Sequence, residues 1–214
     1  MNINHAVEEK VEGDRLQAIF NRQKELMEKY HHIEARSGLC QTEDCPVNLN
    51  DKRGQARLKD FAWRMTEEVG EALDAYNHED HYQEELIDGL HFLTEFTILA
   101  GKDYNTIDDN AILVDSLENL YHKATTSPEF PEMLVEEAVT DLVREMGMCC
   151  NCLKNKPWKQ TSMLTDVNAF NQRLFNVWVC YIKLLAVSGL EVDDIVNIYL
   201  KKSQVNKFRQ RSNY

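Results

Sequence analysis

Long apolar runs are missing from this chain: no stretch of 18 apolar residues occurs in it, so no segment meets the requirement for a membrane-spanning helix. The N-terminal stretch MNINHAVEEKVEGDR is too charged to provide the apolar core of a signal peptide. Basic residues are also in short supply. Lys and Arg number 24 against 36 Asp and Glu, for a formal net charge of −12. Such a surface repels polyanions, which argues against a general nucleic-acid binder or a binder of anionic membranes. The six cysteines, Cys40, Cys45, Cys149, Cys150, Cys152 and Cys180, do not form two C-x2-C units, so a zinc ribbon is not expected. In a chain of this kind without an export signal the thiols are expected to stay reduced, and the location to be cytoplasmic.

Strand patterning is missing too. No window sustains the apolar/polar alternation of a half-buried strand, so the expected class is all-α. Leu16, Ile19, Phe20, Gln23, Leu26, Met27 and Tyr30 recur at helical steps, which predicts a first helix to about Arg36, stopped by Gly38. A narrow stripe from Leu58 to Tyr76 predicts a second helix over 56–76. The third, from Tyr82 to Ala100, is apolar almost all round and therefore buried, with Gly101 as its C-cap. Further helices are expected from about Asp108 to Lys123, Pro131 to Lys154, Asp166 to Ser188 and Asp193 to Phe208, with breaks at Pro157 and Gly189. With 214 residues, 43% of them hydrophobic, and no repeat or linker, residues 1–214 are expected to form a single domain.

What the chain does have is acid at one spacing, twice. In EEVGEALDAYNHEDHYQEELIDGLHF, Glu67 to Phe92, Glu68 and Glu71 are three apart, and so are Glu85 and Asp88. Residues three apart share a helix face, so each pair can converge on one point, and two packed helices would bring four carboxylates to one space. Solvated helix faces commonly carry such pairs. Here, however, Glu68 lies at the edge of the stripe with Phe61 and Ala72, and Glu85 and Asp88 share a face with Phe92 and Leu99. Half-buried acids need a cation or a proton. The basic residue beside them in the segment, His91, is neutral by default. Oxygen ligands suit a hard divalent ion, and Mg²⁺ combines carboxylates with water and substrate phosphate, whereas zinc or copper would call for His or Cys.

Positive charge collects at the other end. YLKKSQVNKFRQRSNY, Tyr199 to Tyr214, holds Lys201, Lys202, Lys207, Arg209 and Arg211 and no acid. That pattern suits either phosphate contacts or compensation of a helix C-terminus. A second basic knot, Lys154, Lys156 and Lys159 around Trp158, reads as a loop or as a source of phosphate contacts.

E-x-x-E in EEVGEA, E-x-x-D followed by His-Phe in EELIDGLHF, and a C-terminal K-x3-N-x2-R-Q-x3-Y together resemble the all-α dimeric dUTPase/dCTPase family. That family sits within the wider MazG-like nucleoside triphosphate pyrophosphatases and includes phage enzymes; a phage-encoded member would act in the host cytoplasm. The resemblance implies an all-α helical bundle that forms a homodimer and hydrolyses dUTP, or alternatively dCTP, to the monophosphate and pyrophosphate. It implies two or three Mg²⁺ ions, with Mn²⁺ as a substitute, held by Glu68, Glu71, Glu85 and Asp88, which are thereby the catalytic residues. Lys202, Asn206, Arg209 and Tyr214 match the phosphate-closing tail, His91 and Phe92 the pair lining the sugar and base pocket, and Gln23 in RQKEL the base-recognising glutamine. Two positions depart from the pattern: Met27 stands where a companion asparagine is usual, and Asn213 where a glycine precedes the final tyrosine. The rival readings are a non-catalytic helical protein that binds a cation or a partner, and a nucleic-acid arm at the tail, which the net charge opposes.

Overall fold

The structure, a computed structural model, describes residues 3–78, 81–107, 116–156 and 158–212. A 3₁₀ turn (Ile3–His5) is followed by α1 (Arg15–Ser37), α2 (Lys52–Asn77), α3 (Tyr82–Leu99) and α4 (Ser116–Thr125). A second 3₁₀ turn (Phe130–Glu132) leads into α5 (Val135–Cys152), α6 (Val167–Val187) and α7 (Val192–Arg211). No strand occurs among the described residues, and the protein is an all-α helical bundle. No single described helix is long and apolar enough to cross a membrane.

Side-chain caps set several of the helix starts. Asp14 accepts from Gln17 N at α1, and Asp166 accepts from Ala169 N at α6. Asp51 accepts from Arg53 N and Gly54 N, which starts α2 at Lys52, four residues before the apolar stripe becomes visible at Ala56. Asp14 also takes the backbone N–H and hydroxyl of Ser116 on its Oδ2 at 2.8 and 2.7 Å, so one carboxylate ties the start of α1 to the start of α4. Gly38 (φ 73°) ends α1 in the left-handed region and Gly101 (φ 80°) follows α3.

Other boundaries are set by local chemistry that the periodicity does not show. The helix expected from Pro131 begins at Val135 instead: Pro131 lies in the 3₁₀ turn, and Glu137 reaches back to accept from Leu134 N at 3.0 Å. The stretch expected to open α4, 108–115, lies outside the described residues. Finally, α7 runs past Phe208 to Arg211, which places Arg209 on the helix.

At the centre is α3, buried along nearly its whole length from Leu86 to Leu99, with α1, α2, α6 and α7 packed against it. The polar atoms it takes into the core are paired: the Thr94 and Thr97 hydroxyls donate to Leu90 O and Leu93 O, and Trp178 Nε1 of α6 donates to Thr97 Oγ1 at 3.0 Å. Phe20 of α1 stacks on the same Trp178, with centroids 5.8 Å apart. A hydrophobic cluster around Trp178, Phe96, Phe170 and Leu184 continues through α5 and α6.

A close approach to α3 falls at Gly89, one residue after Asp88. A Cβ added there would stand 2.1 Å from Tyr181 Oη and 3.4 Å from Glu68 Cβ. Tyr181, fully buried, donates that hydroxyl to Leu86 O at 2.8 Å. The missing side chain thus lets α6 and α2 both close on the turn that carries Asp88. Gly89→Ala is expected to lower the unfolding midpoint, since overpacking costs about 1–3 kcal/mol and outweighs the gain in helix propensity. The loss is expected to shrink in a Tyr181→Phe background, where the clashing oxygen is gone. Thermal denaturation of both single variants and the double variant measures this; additive losses would show that the contact does not limit the packing.

Candidate functional site

Helices α2 and α3 are joined through residues 78–81, so they double back along one another, and their facing turns carry the acids. Carboxylate oxygens of Glu68, Glu85 and Asp88 lie within 4.8 Å of each other. Glu71, expected as a fourth member, stands outside this set: one turn further along α2 it is exposed, and lines an adjoining open groove with Glu67, Asp74 and Glu85. Three residues along a helix carry a side chain a full turn on as well as keeping it near the same face. Glu71 still acts on the cluster through its charge.

That charge is concentrated enough to alter the acids themselves. Burial, then the charges of Asp88, Glu71 and Glu85, push the Glu68 carboxyl up from its ordinary 4.5 to about 7. Glu85 is raised as well, by burial foremost and by Asp88 and Glu71. The opposing cation comes from α7: Lys202 Nζ lies 2.5 Å from Asp88 Oδ2 and 3.8 Å from Glu84 Oε2. Burial pulls the Lys202 ammonium down, but Asp88, Glu85 and Glu84 outweigh it and hold the group above its ordinary value. Lys202, predicted as a phosphate contact, therefore sits on one of the acids.

A cavity of about 300 Å³ opens from the cluster, with Glu68 and Asp88 at one end and Gln23, Tyr30 and Glu95 among its other lining residues. Asn206 and Arg209 of α7 line it too. Gln23 is buried, donates Nε2 to Glu95 Oε2 at 2.8 Å and accepts from the Tyr199 hydroxyl on Oε1 at 2.8 Å. His91 also lines the cavity, but both its ring nitrogens are used within the chain: Nδ1 lies 2.9 Å from Ile87 O and Nε2 3.1 Å from Ser203 Oγ. Burial keeps the imidazole below its usual pKa, so the ring is neutral and carries its proton on Nδ1, the nitrogen that faces a carbonyl oxygen. Its face stacks on Tyr199, with centroids 3.8 Å apart and planes 5° from parallel. His91 is a shaped wall here. Phe92 is half-buried, lines the cavity and leans on Phe61 at 6.2 Å.

Tyr214, with Asn213, lies outside the described residues. The basic loop packs on the start of α2: Lys52 Nζ donates to Lys159 O at 2.5 Å, Lys59 Nζ to Asn155 O at 3.0 Å, and Gln55 Oε1 accepts from Asn155 N at 2.9 Å. Glu68 lies nine residues beyond Lys59, roughly 14 Å along the helix. Through these backbone contacts the loop fastens α5 to α2.

Several lining residues carry no motif. Arg64 borders the cavity and is held by Glu34 at 2.5 Å and Asp60 at 2.8 Å, its guanidinium 4.5 Å above the Phe61 ring. Glu34 also receives Arg57, whose side chain is almost wholly buried. Asp60 and Arg64 are four apart on α2, but nothing local in the sequence announces the pairings of Glu34, which span up to 30 positions. Glu95 did leave a signal: it is a carboxylate within the apolar half of α3, between Leu93 and Leu99.

Three carboxylates that converge beside a cavity, two of them lining it, with no His or Cys among them, form an oxygen donor set suited to a hard divalent cation. The raised Glu68 carboxyl fits the same conclusion, since the cluster carries more negative charge than Lys202 neutralises. Searches of curated proteins and of solved structures returned no match. A family model described as dUTPase matches residues 15–214, nearly the whole chain and all of the elements that build the site. The chain belongs to the dUTPase family.

Proposed function

We propose that this protein is a Mg²⁺-dependent deoxynucleoside triphosphate pyrophosphatase that hydrolyses dUTP to dUMP and pyrophosphate, with dCTP as the alternative substrate. The observation that carries the reading is the junction of the carboxylates Glu68, Glu85 and Asp88 with a cavity whose lining includes the buried amide of Gln23. Glu68, Glu85 and Asp88 would hold Mg²⁺, with Mn²⁺ as a substitute and Glu71 adding charge from the groove beside them. Bound there, the metal would anchor the triphosphate and make water a better nucleophile at neutral pH.

The remaining work belongs to side chains of this chain. Monophosphate and pyrophosphate products require cleavage between the α and β phosphates, so the phosphates lie at the acid end and the base at the Gln23 end. Lys202 and Arg209 neutralise charge that develops on the phosphate oxygens, and Asn206 adds a neutral polar contact. His91 and Phe92 wall the sugar and base, and Gln23 reads the base edge. Tyr214 belongs to the same tail. A single domain, a homodimer, a cytoplasmic location and a phage-type place among the MazG-like pyrophosphatases complete the reading.

Pyrophosphate release from dUTP and dCTP with Mg²⁺ is expected, and Glu68→Gln and Glu85→Gln are each expected to lower turnover about 100-fold or more. Silence of the unaltered protein on every deoxynucleotide would leave the acids as a non-catalytic cation site and overturn the enzyme reading. Lys202→Met separates two roles of one residue. Removing the ammonium beside Asp88 is expected to tighten Mg²⁺ binding several-fold by calorimetry while turnover falls; weaker Mg²⁺ binding would contradict the arrangement.

The raised Glu68 carboxyl also sets a pH dependence. With a folded value of about 7 against 4.5, the native state binds more protons than the unfolded one between those values, so this group lowers stability as pH rises through that window. With a chelator present, Glu68→Gln is expected to gain stability relative to the unaltered protein between pH 5 and pH 8. A difference between the two proteins that does not change with pH would refute it.

A further inference from the structure

One carboxylate in the cavity is not needed to hold a cation. Glu95 is 5% exposed and sits on α3 seven residues beyond Asp88, about 10 Å along the helix and on the same face. That is a distance suited to a base when the phosphates are at Asp88. Its Oε2 accepts from Gln23 Nε2 at 2.8 Å, and its Oε1 lies 3.3 Å from His31 Nε2. An ionised carboxylate has about four acceptor positions, so two contacts leave it with capacity for a donor, and Glu95 lines the cavity. A buried carboxylate short of donors is costly, and a ligand that brings one gains a charge-assisted hydrogen bond.

Gln23 fixes the sense of the neighbouring group. The Tyr199 hydroxyl occupies its Oε1, and one Nε2 hydrogen goes to Glu95, which leaves the second Nε2 hydrogen as its remaining donor. Donor beside acceptor is the complement of the cytosine edge, where the ring N3 accepts and the 4-amino group donates. Uracil in that same position would set its 4-carbonyl oxygen against the carboxylate, acceptor on acceptor. It meets the pair only when shifted so that N3–H faces Glu95.

Resting on the pyrophosphatase reading above, we propose that Glu95 is the specificity-determining residue of the base subsite, and that it extends the substrates to dCTP by accepting the cytosine 4-amino group. Gln23 presents the partner donor to N3, and the His31 ring steadies the carboxylate from the side away from Gln23. A site built to hydrogen-bond one polar group discriminates strongly when the group is absent, because its own buried atoms are then left unpaired.

The test is the ratio of kcat/KM for dCTP to that for dUTP in the unaltered protein, Glu95→Gln and Glu95→Ala, with dCMP and dUMP binding measured in parallel by calorimetry. The unaltered protein is expected to turn over both nucleotides. Both variants are expected to lower the dCTP-to-dUTP ratio at least tenfold, by losing the acceptor for the amino group and relieving the repulsion of the uracil carbonyl. A purely structural role would depress both substrates alike, so a ratio changed less than twofold, or one that rises, overturns the proposal. Absence of turnover with either nucleotide defeats the pyrophosphatase reading instead. In that case the dCMP-to-dUMP affinity ratio decides the role of Glu95 by the same thresholds, and failure to bind either monophosphate overturns it as well.

Discussion

Concentrated negative charge where α2 meets α3 is the constraint around which the rest of the site is arranged. Carboxylates gathered within hydrogen-bonding reach of a shared point repel one another, and partial burial strengthens that repulsion because the interior screens poorly. The chain nonetheless packs these helices tightly, with Gly89 removing the side chain that would hold Tyr181 and Glu68 away. The bundle thus spends core packing energy to bring like charges together, and a purely structural helix pair would have no use for that. Lys202 is the local answer to the repulsion, so the docking of α7 on α3 draws on the acids as well as on the apolar contacts of Tyr199 and Leu200.

From that junction the chemistry grades along the cavity. The acid end presents charge that calls for a cation, while the Gln23 end presents an ordered hydrogen-bonded network in which Tyr199, Gln23 and Glu95 pass hydrogen bonds in one direction. Buried networks of this kind have few alternative arrangements, because a reversed amide would set oxygen against carboxylate and leave the Tyr199 hydroxyl without its acceptor. Such rigidity suits the reading of a planar base. The His91 ring, clamped between Ile87 O, Ser203 and the Tyr199 face, contributes shape without adding a charge or a free donor.

The parts of this arrangement legible in the sequence are those with a local period. The buried character of α3, the class of the fold, and the pairing of Glu85 with Asp88 all follow from helical spacing, because residues three or four apart must lie near one another. At Glu71 the same rule says less, since it states which face a side chain shares and not how near its oxygens stand to those of Glu68, Glu85 and Asp88. Interactions between distant segments left no trace of that kind: Glu34 with Arg64 and Arg57, Lys202 with Asp88, and Gln23 with Glu95 depend on how α1 and α7 dock. The lysines around Trp158 read as a loop or as a source of phosphate contacts, and the structure shows a loop whose carbonyl oxygens take the ammonium groups of Lys52 and Lys59 on α2.

Lys202 links these two kinds of information, because one ammonium cannot fully neutralise Asp88 and at the same time bind a phosphate oxygen. While it rests on the carboxylate it lowers the repulsion within the cluster and helps the bundle tolerate its own acids. A divalent cation among the same oxygens would bring twice the charge to the same place, which removes the attraction that keeps the ammonium there and leaves it close to where a phosphate would lie. The side chain is long enough to make that change by rotamer alone, with α7 staying in place. Cation and anion binding are then coupled through a single residue, and the acidic cluster need not be fully compensated until both the metal and the phosphates have arrived.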